Sequence, residues 1–180
     1  MKGEREGGKV RGKDGYSMPL ENVRRKQGAY YEDINGHKID DKGTIAVAEW
    51  YMGQGFNVIF QPEQSGERGV KGFDLTLRTS ENKEFIRDIE VKRITSVTEE
   101  NVTKHIKEGF QQVQDGGTVT IYLPRNRQDQ RIIRKLQHGF EEANRLGLVK
   151  GHVEAFFSDG SRMELKLEKK KTKKRGRKRK

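Results

Sequence analysis

The chain has 180 residues, a net charge of +11 at neutral pH, 36% charged and 31% hydrophobic residues, and no cysteine. That length suits one domain of ordinary size with extra segments at its ends. The lack of cysteine excludes disulfides, thiol nucleophiles and cysteine-ligated zinc. No stretch has the apolar length of a signal peptide core or a membrane span, so a soluble protein is expected.

The charge is unevenly placed. The last twelve residues, KKKTKKRGRKRK, carry ten positive charges, and Met1 to Gly28 carry eight positive and four negative; of the total of +11, residues 29–168 are left with −3. Residues 1–28, rich in glycine and charge, read as a flexible basic linker. Residues 29–168 read as the folded domain and 169–180 as a disordered basic tail. In that tail Lys173, Lys174, Arg175 and Arg177 are candidate phosphate contacts.

Within the domain, Asp40 and Asp41 can cap a first helix that carries Ile45, Val47, Ala48, Trp50, Tyr51 and Met52 and stops at Gly53 or Gly55. Glu49 lies inside that apolar run, a costly place for a carboxylate unless a cation or donor meets it. Phe56 to Phe60 reads as a strand, followed by a loop from Gln61 to Lys71. A second helix is expected from about Glu99 to Gln114, with Val102, Ile106, Phe110 and Val113 as its apolar stripe and Lys104, Lys107, Gln111 and Gln112 on its other faces. Thr118 to Pro124 is dense in β-branched residues and suits a central strand. A third helix, about Gln128 to Leu146, would bury Ile132, Ile133, Leu136, Phe140 and Ala143 and end at Gly147. Residues 152–157 and 162–167 flank a Ser-Asp-Gly-Ser turn and read as a terminal hairpin. His37, His105, His138 and His152 are scattered without metal-motif spacing and read as ordinary solvated or hydrogen-bonded histidines.

The chemistry concentrates between the first strand and the second helix, where GFDLTLR and EFIRDIEVK read as two antiparallel strands. Alternation puts Asp74, Thr76 and Arg78 on one face of the first, and Asp88, Glu90 and Lys92 together on one face of the second, opposite Phe85, Ile89 and Val91. With a loop at Thr79 to Lys83, Arg78 would pair with Glu84, Thr76 with Ile86 and Asp74 with Asp88, leaving Glu90 diagonal to Asp74. Like charges so placed are destabilising, and a divalent cation between them would relieve the repulsion.

Asp74, sixteen residues, then Glu90-Val91-Lys92 resembles the active-site signature of the PD-(D/E)xK nuclease superfamily, with Phe73 standing where proline is usual. The element order agrees. The resemblance implies an α/β restriction-endonuclease-like core (helix, three strands, helix, strand) with an added helix and a terminal β-hairpin. It further implies a metal-dependent phosphodiesterase that uses Mg²⁺ or Mn²⁺. Asp74 and Glu90 would be ligands, Glu49 a ligand or water-mediated partner, and the Val91 carbonyl a further ligand. Lys92 would position the attacking water or stabilise the transition state, and Gln112, or Gln111 on a rotated helix, would contact substrate or water. Asp88 would be a further ligand or the partner of one. Lys104, Lys107 and Gln111 join the tail as nucleic-acid contacts.

More narrowly, Glu90 to Pro124 followed by a helix and a hairpin looks like the C-terminal nuclease domains of contact-dependent growth-inhibition and related polymorphic toxins. That implies tRNA as substrate, a cognate immunity protein as partner, and export within a larger chain to act in the target-cell cytoplasm. Two alternatives stay open: a cytoplasmic DNA endonuclease of phage, mobile-element or repair type, and a catalytically inactive nucleic-acid-binding module.

Overall fold

The computed structural model describes residues 9–11, 17–19, 23–25, 31–33, 38–39, 41–61, 74–81, 84–113 and 115–167. The chain begins with short strands β1 (Lys9–Arg11), β2 (Ser17–Pro19), β3 (Val23–Arg25), β4 (Tyr31–Asp33) and β5 (Lys38–Ile39). β1 pairs with β2, and β3, β4 and β5 form an antiparallel set. Three of these strands fall in the stretch expected to be linker. The basic tail lies outside the described residues, as do Phe73 and most of the Gln61–Lys71 loop.

The larger unit is mixed α/β. Its order is α1 (Lys42–Gly53), β6 (Asn57–Phe60), β7 (Leu75–Arg78), β8 (Phe85–Arg93), α2 (Glu99–Gly109), β9 (Thr118–Leu123), α3 (Gln130–Arg145), β10 (His152–Phe157) and β11 (Arg162–Leu165). The six strands make one sheet in the order β11-β10-β9-β8-β7-β6. β6, β7 and β8 meander antiparallel; β8, β9 and β10 run parallel through α2 and α3; β11 returns antiparallel. All three helices start on a side chain that accepts a hydrogen bond from a first-turn amide: Asp41 from Thr44 N at 2.7 Å, Thr98 from Asn101 N at 3.2 Å and Asp129 from Ile132 N at 2.9 Å. These caps meet donors that have no partner within the helix.

The core lies on both faces of the sheet. On one face α1 packs Val47, Ala48, Tyr51 and Met52 over Val58, Phe60, Leu75, Leu77, Ile89 and Phe156. On the other, Val102, Ile106, Leu136 and Phe140 of α2 and α3 cover Val119, Ile121, Val153, Ala155 and Phe157. Gly139 allows α2 and α3 to approach, since a methyl there would sit 2.5 Å from Val102 Cβ and 2.8 Å from the Glu99 carbonyl oxygen. Thr103 bridges the same crossing, donating to the carbonyls of Glu99 at 2.9 Å and Gly139 at 3.0 Å.

Under α1 the fully buried Glu154 is held by Tyr51 Oη at 2.8 and 2.9 Å, Thr120 Oγ1 at 2.6 Å and Arg162 Nε at 2.7 Å, with the Arg162 guanidinium over the Trp50 ring. Burial, and then the Glu154 charge, hold the Tyr51 phenol protonated well above its usual range. With both oxygens met, this buried charge is a structural element of the core.

Two expectations change. α2 ends at Gly109, and Gln111 and Gln112 lie in the turn after it, where their amides bond three residues back to Glu108 O and Gly109 O at 3.2 and 2.9 Å. That tighter pattern is the usual way a helix end closes. The β7–β8 register also differs: Leu75 faces Ile89, Thr76 faces Asp88 and Leu77 faces Arg87, but Arg78 faces Phe85, so a bulge falls between Leu77 and Arg78 and leaves Ile86 over. Ile86 packs against the α1-side core, and Phe85, expected inside, is 62% exposed. A bulge inserts one residue and re-aims its neighbours.

Candidate active site

A turn register one residue away from that expected, with Arg78 opposite Phe85 instead of Glu84, and the one further residue added by the bulge together bring the two key carboxylates closer. One step beyond the Leu75–Ile89 pair, Asp74 stands directly opposite Glu90 instead of diagonal to it. Asp88 is opposite Thr76, whose hydroxyl donates to Asp88 Oδ1 at 2.8 Å and accepts from Gln61 Nε2 at 2.9 Å. Asp88 is thereby engaged in a cross-strand chain, with burial raising its pKa.

Asp74 sits just before β7. Its amide donates to Ile89 O at 3.0 Å, outside the regular pairing, while its carboxylate Oδ2 accepts from Val91 N at 2.8 Å. The side chain thus serves as acceptor for β8 one position past the paired strand. Because the amide and carbonyl of one strand residue point to the same side, the Val91 carbonyl faces that side as well.

Glu90 is 4% exposed. Its Oε1 lies 2.6 Å from Lys92 Nζ, and its Oε2 is buried without a hydrogen-bond partner. Burial and then the Asp74 charge push its pKa from 4.5 to about 7. Burial also raises Asp74, against the lowering effects of the Val91 amide and Lys92. Two acceptor-only carboxylates within reach of each other need either a shared proton or a cation.

Lys92 reaches from the same sheet face to Gln112, donating to its Oε1. An ammonium has no acceptor, so the amide oxygen must face it, and the Gln112 NH₂ is left as a donor at the rim. Gln111 is exposed and takes no part in this pairing. Of the residues singled out from sequence, the fold therefore brings together Asp74, Glu90, Val91, Lys92 and Gln112.

Glu49 lies elsewhere. It is half-buried on α1, which packs on the Leu75–Ile89 face, opposite the one that carries Glu90 and Lys92. The α1 carboxylate that acts electrostatically on Asp74 is Asp41, at the helix N-cap. Eight residues of helix separate Asp41 from Glu49, about 12 Å along the axis. Lys104 and Lys107 face outward into the groove between α2 and α3, among Glu99, Glu100, Glu141 and Glu142, and Lys104 is 3.9 Å from Glu108. His105, an ordinary histidine by its spacing, comes near the site. It is half-buried on α2, its Nδ1 is 3.5 Å from Glu108 Oε2, and burial, with Lys104 and Lys92 nearby, lowers its pKa against the opposing pull of Glu108. Only the docking of α2 on the sheet relates it to Lys92.

Among the described residues no three His, Asp or Glu side chains cluster as a metal cage. Two carboxylates nonetheless suit a hard cation, since Mg²⁺ is commonly held by one or two carboxylates and takes its other positions from water and phosphate. The orphaned Oε2 of Glu90 beside Asp74 fits such a group. No match was found among protein-family models, curated protein sequences or solved structures. No helix among the described residues is long and apolar enough to cross a membrane.

Proposed function

We propose that this protein is a divalent-metal-dependent phosphodiesterase of the PD-(D/E)xK kind, acting on nucleic acid. The observation that carries the reading is the buried Glu90 carboxylate beside that of Asp74, with its Oε2 unpartnered and a lysine 2.6 Å from its other oxygen. A fold with no need of a cation would not keep that arrangement cheaply. The element order, with the antiparallel meander β6–β7–β8 passing through α2 to the parallel β9, supports the same core.

Asp74 and Glu90 would hold Mg²⁺ or Mn²⁺, with the Val91 carbonyl as a third donor. Bound there, such an ion supplies a Lewis acid for a phosphoryl oxygen and an acidified water. The Val91 amide fixes the Asp74 carboxylate, so the ligand is oriented before any substrate arrives. Lys92, which contacts Glu90 and Gln112, would position the attacking water or donate to the oxygen on which charge develops at phosphorus. The free Gln112 NH₂ can donate to a phosphate oxygen or a water.

Within this reading RNA, and tRNA in particular, is the favoured substrate. The support is the toxin-like motif order and the charge of −3 on residues 29–168, which offers little to a long duplex. An immunity protein as partner, and delivery within a larger chain, belong to the same proposal.

The test is incubation of the purified protein with total tRNA, oligonucleotides and plasmid DNA, with Mg²⁺, Mn²⁺ or EDTA. Discrete tRNA fragments that need the metal are expected, and Asp74→Ala, Glu90→Ala and Lys92→Ala should each abolish them. Full cleavage by all three variants would overturn the site. Degradation of plasmid with intact tRNA would replace RNA by DNA as substrate.

A further inference from the structure

Four exposed cations that the active site does not use, Lys42, Arg93, Arg125 and Arg127, lie at one end of the sheet, near Tyr122. Arg93, the last residue of β8, is paired in register with Tyr122, and the preceding pair is Lys92 with Ile121. The Arg93–Tyr122 row is thus about 3.3 Å beyond the row of Lys92. α1 enters at the same place: a methyl on Gly43 would lie 2.8 Å from the Tyr122 ring, so Lys42 begins its helix against that ring. β9 ends at Leu123, and the following turn presents Arg125 and Arg127. That turn is tied to the end of β10, with Ser158 N donating to Asn126 O at 2.9 Å.

Lys42, Arg93, Arg125 and Arg127 are all exposed, and none is ion-paired to a described residue. Of the nearby carboxylates, Asp41 caps α1 through the amide of Thr44, Asp129 caps α3 through that of Ile132, and Asp159 accepts from Ser161, and none is ion-paired to these cations among the described residues. Because Arg93 follows Lys92 in β8, this end of the sheet adjoins the carboxylate pair. The α2–α3 groove, where Lys104 and Lys107 lie, is instead lined by four glutamates.

We infer that Lys42, Arg93, Arg125 and Arg127, set around the half-buried ring of Tyr122, form the docking surface for an unpaired stretch of RNA flanking the scissile bond. Four cations with no ion pair to a described residue attract phosphates, and the half-buried aromatic ring beside them gives a base a face to stack on, which is how single strands are bound. A patch this narrow matches one strand rather than the long basic stripe a duplex needs. In a domain of net −3 it is also where substrate attraction would concentrate. The inference rests on the nuclease reading for its choice of RNA.

Binding is measured on the full-length Lys92→Ala protein by fluorescence anisotropy, with labelled unstructured RNA and DNA 12-mers across a salt series. Changing Lys42, Arg93, Arg125 and Arg127 together to Ala should weaken RNA binding at least tenfold and flatten the salt slope by about 0.7 for each phosphate no longer neutralised. Tyr122→Leu should weaken it about fivefold or more, and Tyr122→Phe should not. Unchanged affinity and slope in the fourfold variant would overturn the surface. DNA bound as tightly as RNA would overturn RNA as its occupant. Cleavage by the wild-type chain, assayed separately, distinguishes a failure of this surface from a failure of the catalytic reading.

Discussion

Replacing Glu90 by Gln removes a negative charge that the metal-free protein holds at a cost. The side chain is almost fully buried, opposite Asp74, and its pKa is pushed up from 4.5 to about 7. A carboxyl whose folded pKa is raised favours folding while protonated: the contribution is full below 4.5 and is lost as the pH rises through about 7. The gap from 4.5 to about 7, at roughly 1.4 kcal/mol per pH unit, is worth on the order of 3 kcal/mol. Glu90→Gln, which mimics the neutral acid and adds a donor toward Asp74, should therefore stabilise the metal-free protein at pH 8 by up to about 3 kcal/mol. For a domain of this size that is a rise of roughly 6–12 °C in Tm. At pH 4, where wild-type Glu90 is protonated, the two proteins should melt together. The assay is thermal unfolding of both in EDTA from pH 4 to pH 8.5; comparing them at each pH cancels the titration of other carboxylates. Mg²⁺ at pH 8 should raise the wild-type Tm and leave that of the variant nearly unchanged, because binding to the folded state alone stabilises it. A variant destabilised at pH 8, or equally shifted at pH 4 and pH 8, would refute the account of Glu90 as a strained carboxylate awaiting a cation.

The turn after α2 separates the two glutamines: Gln112→Ala should lower kcat for metal-dependent cleavage by roughly 10- to 100-fold, as removal of a supporting hydrogen bond does, while Gln111→Ala should leave kcat unchanged. Gly139→Ala should destabilise the fold by about 1–3 kcal/mol through overpacking at Val102 and the Glu99 carbonyl. Gly53→Ala, where an added methyl meets nothing within 4 Å, should be neutral or stabilising by up to about 1 kcal/mol; urea unfolding of both variants checks the pair. Deleting Lys169 to Lys180 should weaken nucleic-acid binding and reduce its salt slope on duplex DNA by about 0.9 for each phosphate the tail neutralises, with turnover at saturating substrate preserved. An unchanged slope would make the tail a passive solubiliser.

Much of this architecture is local in origin and could be read from residue order. Asp41 and Asp129 mark helix starts because a short carboxylate meets the free amides of a first turn, and the stripes Val102–Ile106–Phe110 and Ile132–Leu136–Phe140 repeat at the helical period. Period-two alternation alone places Asp88, Glu90 and Lys92 on one strand face, and the +4 and +10 at the ends follow from composition. Distances across the sheet were decided elsewhere. The turn sets Arg78 opposite Phe85 instead of Glu84 and the bulge at Leu77/Arg78 adds one residue more, so Asp74 meets Glu90 and Asp88 turns to Thr76, with Ile86 taken into the α1-side core and Phe85 left outside. The choice of Gln112 over Gln111 depends on where α2 stops, and the exchange of Glu49 for Asp41 near the carboxylates depends on which sheet face α1 covers. His105, and the four cations around Tyr122, are separated along the chain and share no spacing. Only the packing of helices on a twisted sheet makes neighbours of them, since periodicity encodes which way a side chain points but not what it will meet.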